Sequence, residues 1–235
     1  MDIPGIFKKS LILIKNNLII VIPTLVISML MSIMSFLLVG GGAATVAVIE
    51  EGAMDTPSTM TDGLLSLAFL VAVISMALGT ISQGITISMA EEAVDTGRSS
   101  IKNGVSAALA RAGQLLIAAL LLSVLVTLGI MLFFLPGIII AFVLMFTFFG
   151  VMVGNLTAIE SMKKSFDIVK NNPGNTVILF LSIVLTGILF VMVTSVFSVI
   201  PFLGQIIGAA LMGLFWGYVS IVLVMAYKEL ATQNF

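Results

Sequence analysis

The chain contains neither cysteine nor histidine. That removes disulfides, thiol chemistry, imidazole metal ligands and histidine acid–base catalysis together. Charge is almost as scarce. Of 235 residues, 9% are charged and 60% hydrophobic, whereas an average soluble domain carries roughly 25% charge. Mean hydropathy is +1.28, and no water-soluble fold of this size has enough polar surface to cover such a chain. The composition therefore specifies an integral membrane protein. A net charge of -1 and a pI near 5.3 supply no basic field for nucleic acid, and no cofactor motif is present.

What the chain has is long uncharged runs. A helix needs ~20 residues to cross ~30 Å of hydrocarbon, and six runs qualify: Leu18 to Gly40, Leu64 to Ala90, Gln114 to Phe134, Ile138 to Ala158, Thr176 to Ile200, and Gln205 to Tyr227. Gly40, Gly41 and Gly42 are where the first run is expected to loosen. Pro136 with Gly137, and Pro201 with Gly204, are expected to form tight hairpins between consecutive spans. The first apolar run is longer than the ~7–15 residues of a cleavable signal sequence, so an uncleaved span is expected. The expected fold is all-α, a single membrane domain over residues 1–235 with six transmembrane helices.

All ten basic residues fall in four segments that six spans place on one side: the amino terminus, the loops after spans 2 and 4, and the carboxyl terminus. The other side receives residues 50–62, which hold Glu50, Glu51, Asp55 and Asp62 and no base. Cytoplasmic loops retain Lys and Arg during insertion. The expectation is a multi-pass cell-membrane protein with both termini cytoplasmic. The acidic spacing fits no calcium loop and reads as a solvated connection.

One basic segment recurs. KKSLILIKNN at residues 8–17 and KKSFDIVKNN at 163–172 share six of ten positions, and each precedes a span. On a helix, Glu160, Lys163, Asp167 and Lys170 gather on one side, with Met162, Phe166, Ile168 and Val169 on the other. The pattern predicts amphipathic elbow helices in the interface, with Lys8, Lys9, Lys15, Arg111, Lys163, Lys164 and Lys170 against membrane lipid. NNPGN then stops the second elbow, with Asn175 expected to cap the next span. A weaker copy lies in residues 100–116, where Ser106 and Arg111 keep the spacing of Ser10 to Lys15 and Ser165 to Lys170. The chain thus divides into three hairpin units, 4–92, 98–158 and 159–235, all with the same orientation. Independent selection of the same residue types at each elbow is the alternative origin of the match.

Residues 135–172, with Pro136 and Gly137 in the hairpin and Ala158, Ser161, Ser165, Phe166 and Lys170 at the elbow, resemble a membrane-domain family. That family occurs attached to some glycerophosphoryl diester phosphodiesterases and in stand-alone prokaryotic proteins. The resemblance extends over residues 98–230 and implies a helical membrane domain. The family's phosphodiesterase chemistry resides in a soluble domain that has no counterpart in these residues, so no enzyme activity is implied.

The predicted spans carry no ionisable side chain, and intramembrane charge is the usual mark of an ion or proton path. Small and neutral polar residues remain. Ser75, Gly79, Ser82 and Thr86 form a stripe on span 2 with Gln83 beside it; Ala209, Gly213, Gly217 and Ser220 form another on span 6. Close helix packing is one reading of these stripes, and GxxxG spacing at Gly150/Gly154 and Gly204/Gly208 belongs with it. A cavity wall is the other, with Gln83 and Asn155 as the amides that need partners. Trp216 and Tyr218 fall mid-span and are expected against neighbouring helices, whereas Tyr227 and Lys228 fit the interfacial belt. Two roles follow from the stripes. One is a non-enzymatic scaffold or accessory assembly subunit whose seams bind other membrane proteins or copies of itself. The other is a passive channel or carrier for a small neutral or lipid-like molecule. The absence of coupling charges favours the first.

Overall fold

A computed structural model describes residues 1–31, 58–197 and 203–232. The Gly40 to Gly42 break, residues 50–57 of the acidic segment and the turn at Pro201 lie outside them. Every regular element among the described residues is helical. They are α1 (Ile3–Asn16), α2 (22–31, entered through a 3-10 turn at Leu18–Val21), α3 (Ser58–Thr96), α4 (Ile101–Ala110), α5 (Ala112–Leu132), α6 (Phe134–Val143), α7 (Thr147–Met152), α8 (Ala158–Asn171), α9 (Pro173–Phe197) and α10 (Leu203–Thr232). Among the described residues, five segments are long and apolar enough to cross a membrane, six when Leu18–Met31 is counted with α1, from which it bends by 90°. The protein is an all-α multi-pass membrane bundle.

Several expected boundaries move, each for a local reason. The second span is the middle of a longer helix, so residues 58–62 of the expected loop are helical and Glu91, Glu92 and Asp95 ride on its last turns. The hairpin between α5 and α6 is made at Phe133, whose backbone is extended (φ -161, ψ 147). Pro136 lies inside the first turn of α6, where a missing N–H removes no helical bond. Gly137 supplies the close approach instead, because a Cβ there would stand 2.9 Å from the Ile130 amide nitrogen. Pro173 is likewise the first residue of α9. The capping residue is therefore Asn172, whose carbonyl accepts from the Thr176 N–H at 3.0 Å, and not Asn175.

The fourth span is broken. Residues 144–146 leave the helix between α6 and α7, and in hydrocarbon their backbone groups have no water to bond. The elbow helix α8 closes the gap. Ser165 Oγ accepts from the Phe146 N–H at 3.1 Å and donates to the Val143 carbonyl at 2.8 Å. Both Ser165 and Phe146 are fully buried.

The elbows therefore do more than lie on lipid. In α8 the buried face is Ala158, Ser161, Ser165, Ile168 and Val169, while Phe166 is 49% exposed with Lys170 Nζ 5.9 Å from its ring centre. The expected apolar face thus splits into a protein-facing and a lipid-facing strip. In α1, Ile6, Ser10 and Ile14 are buried, and Lys8, Lys9 and Lys15 are exposed. Tyr218 donates to the Phe7 carbonyl at 3.3 Å and meets its ring edge-on, which docks α1 on α10. The two lysine-rich elbows end alike: Asn17 (φ -132, ψ 50) and Asn172 (φ -130, ψ 52) each turn the side-chain amide back to the carbonyl four residues earlier. Asn17 also reaches the Gly97 carbonyl at 3.1 Å, at the left-handed glycine (φ 77) that ends α3. In the third elbow Ser106 is exposed, and Gly104 is the buried residue seven positions before the Arg111 hinge, as Ser10 and Ser165 are before Asn17 and Asn172.

Cross-links gather the elbows at one end of the bundle. Lys228 Nζ pairs with Asp95 at 2.6 Å and Glu91 at 3.5 Å, the Met1 amino group with Glu229 at 3.6 Å, Arg111 donates to the Val151 carbonyl at 3.1 Å, and Gln114 accepts from the Ala158 N–H at 2.9 Å. Burial is densest there, through Ile87, Ala90, Phe146, Ile221, Val222 and Leu230. Tyr227, expected at the interfacial belt, is 4% exposed, tilted 6.2 Å from Phe146, because Gly154 leaves room for its hydroxyl. Towards the opposite end the α5–α6 turn at Met131 to Leu135 is largely exposed.

The N-terminus of α8 carries a pH prediction. Thr157 accepts from the Glu160 N–H, and Glu160 Oε2 accepts from the Thr157 N–H at 2.9 Å and hydroxyl at 2.8 Å, a reciprocal cap. The Thr157 backbone bond first, then its hydroxyl, holds the Glu160 carboxyl below the usual 4.5. A lowered folded pKa means the cap's contribution is complete above the unfolded value and is lost as pH falls through the folded one. Amide protection factors, corrected for intrinsic exchange, in the first turn of α8 are expected to fall as pH drops through the lowered Glu160 pKa, and those of Glu160→Gln to stay level over the same range.

Candidate functional site

The two small-residue stripes meet. Gly79, Ser82, Gln83 and Thr86 of α3 face Ala209, Met212, Gly213, Trp216 and Ser220 of α10 across a cavity of about 370 Å³, and Thr24, Ile27, Ser28 and Met31 of α2 form its third wall. These helices meet because small side chains allow close backbone approach where lipid offers no hydrophobic drive.

The stripes are not uniform, and Cβ positions separate packing from cavity. At Gly213 an added Cβ would stand 2.9 Å from Val21 Cγ1, and at Gly217 it would stand 3.2 Å from Ile14 Cδ1. Those glycines seat α10 on the elbow turn. Among the described residues a Cβ at Gly79 meets nothing within 4 Å, so there its place in the stripe is a wall of the cavity rather than a packing seam. Gly150 belongs to packing, 2.8 Å from Ser161 Cβ.

Among the described residues the lining is mainly apolar, with several neutral polar groups and no charge. Thr86 donates to the Ser82 carbonyl at 2.9 Å, and Ser28 to the Leu25 carbonyl at 2.9 Å, the usual refuge of a hydroxyl in a membrane helix. Ser82 and Thr24 differ: their buried hydroxyls have no partner among the described residues, although Ser82 is 3% exposed. An unpartnered buried hydroxyl costs about 1–3 kcal/mol. Thr24 on α2 and Ser82 on α3 line the same cavity with their oxygens covered rather than open to it, so a rotamer change is what brings either to a bound hydroxyl, ester or amide.

Of the residues singled out in the sequence, Gly79, Ser82, Gln83, Thr86 and Trp216 come together here. Ser75 stands outside the lining, one turn farther from the elbows. Asn155 is no intramembrane amide: it is exposed in the turn between α7 and α8 with φ 56, a left-handed backbone that asparagine tolerates. Arg111 is half-buried and turned onto the carboxyl end of α7, where a cation complements the helix dipole. Thr24, Ser28 and Met31 were not singled out, although their steps of four and three match the other stripes.

The chain is thus a helical membrane protein with a neutral, amphiphilic cavity between its first, second and last spans. No family model, no curated protein and no solved structure matches it, so its own geometry carries the functional reading.

Proposed function

We propose that this chain is a non-enzymatic, multi-pass protein of a cell membrane that holds a neutral amphiphilic molecule in the cavity between α2, α3 and α10, as a passive carrier or binding protein. The single observation that supports this is the pair of hydroxyls, Thr24 and Ser82, that have no partner among the described residues, in a cavity whose described lining carries no charge. At about 370 Å³ the space is at the small end of ligand sites, with room for a polar head and the first part of a chain. That no described residue packs on Gly79 favours this reading over an assembly role, in which the whole stripe belongs against another helix. Tritiated monooleoylglycerol is the probe. Ser82→Leu combined with Gln83→Leu is expected to weaken its binding at least about tenfold, or ~1.4 kcal/mol, with helical content and particle size unchanged. Undiminished binding in a folded double variant returns the stripes to packing and the protein to the assembly role.

The same reading places both termini in the cytoplasm, with the exposed Lys8, Lys9, Lys15, Lys163 and Lys170 on an anionic leaflet. Replacing Lys163, Lys164 and Lys170 by Glu removes attraction of about 1 kcal/mol per lysine. A label on Asn175→Cys, unambiguous in a chain without cysteine, is expected to become partly accessible from outside in that variant. A label that stays wholly cytoplasmic shows that the elbow lysines do not set orientation.

A further inference from the structure

We infer that the cavity is filled sideways from the hydrocarbon phase, past Trp216, and that its occupant lies with its polar end toward the elbow helices. This rests on the amphiphile reading above and adds a route and a direction to it.

Closure of one end comes first. Where the cavity approaches the elbow side, Ile14, Ile20 and Val21 are all buried and are seated against Gly213 and Gly217 with no room for a further methyl group. The 3-10 turn at Leu18–Val21 is the floor, and it is apolar. A polar solute arriving from that face has to displace α1, which is held to α10 by Tyr218 and to the end of α3 by Asn17.

The side wall is different. Trp216 lines the cavity and is nevertheless 46% exposed, near the middle of the apolar segment Ile206–Thr232. One indole therefore borders the cavity and the lipid-facing surface. Val26 and Met29 on α2 are also exposed, farther from the elbows than Trp216. A molecule already dissolved in the bilayer meets this opening without passing through water, so its chain is never hydrated on the way in.

Direction follows from the order of lining residues along the helices. Thr86 and Ser220 are nearest the elbows, Thr24, Ser82 and Gln83 next, and Met31, Gly79 and Ala209 farthest. The unpartnered hydroxyls thus belong to the elbow half, and among the described residues the lining beyond them is Ile27, Met31, Gly79, Ala209 and Met212, with the Ser28 hydroxyl turned to the Leu25 carbonyl. A head that bonds Ser82 and Thr24 leaves its chain no favourable course except outward or through the Trp216 opening.

Trp216 is the chain's sole tryptophan, which makes the test direct. The full chain is reconstituted in phosphatidylcholine vesicles containing a trace of either chain-brominated monooleoylglycerol or chain-brominated phosphatidylcholine, and Trp216 emission is read. Brominated monooleoylglycerol is expected to quench at a mole fraction about tenfold lower than the brominated phospholipid, excess unbrominated monooleoylglycerol to restore emission, and aqueous iodide to have little effect. Iodide quenching equal to that by bromolipid overturns lateral entry. Equal quenching by the two brominated lipids, with tritiated monooleoylglycerol still binding in detergent, sinks the route while leaving the amphiphile reading intact. Loss of that binding as well removes both.

Discussion

Ser165→Ala is expected to lower the unfolding free energy by about 2–3 kcal/mol, read as a shifted midpoint when the folded chain is titrated with denaturing detergent. Side-chain hydrogen bonds in membrane proteins average only ~0.6 kcal/mol, so the size of this effect needs a reason. Ser165 Oγ serves two backbone groups at once, the Phe146 N–H and the Val143 carbonyl, at a break in the fourth span. Removing it strands both where Phe146 is fully buried and no water reaches. Ser182 is the control. It donates to the Ile178 carbonyl on the exposed face of α9, where that carbonyl keeps its helical bond, and Ser182→Ala is expected to stay within about 0.5 kcal/mol. A Ser165→Ala effect no larger than the Ser182→Ala effect means the break is satisfied in some other way.

The second large effect is on binding. Gly79→Leu places a branched side chain where a Cβ has no neighbour within 4 Å among the described residues, and leucine is the better helix former by about 0.8 kcal/mol. Stability is expected to hold within about 1 kcal/mol while monooleoylglycerol affinity falls at least about tenfold. Gly150→Leu is the steric contrast. Its Cβ would lie 3.0 Å from Ser161 Cα, backbone that cannot swing aside, so that variant is expected to lose its fold. The two glycines look alike in sequence, each with small neighbours at helical spacing.

That contrast marks what the sequence carries and what it does not. Uncharged run length is set by bilayer thickness, so the spans of α3, α5, α9 and α10 are readable to within several residues. The stripe through Gly79, Ser82 and Thr86 is readable because helical spacing fixes which residues share a face. Whether that face packs or stays open depends on how α2, α3 and α10 are rotated and splayed, a property of three helices together. Pro136 misleads for another reason: proline suits both a turn and the first turn of a helix, and only the extended Phe133 decides between them. The Ser165 bridge was hidden because its partners are backbone atoms 19 and 22 residues away, which leave no side-chain signature. Tyr227 has the composition of a belt residue, and is drawn inward by Gly154 on a helix distant in sequence.

The most direct measurement is mass analysis of the intact chain released from its own membrane in a mild detergent, wild type beside Gly79→Leu. An occupied cavity predicts one neutral, hydroxyl- or ester-bearing lipid per wild-type chain, absent from the variant. Phospholipid adducts alone, or the same neutral adduct on both chains, contradict it.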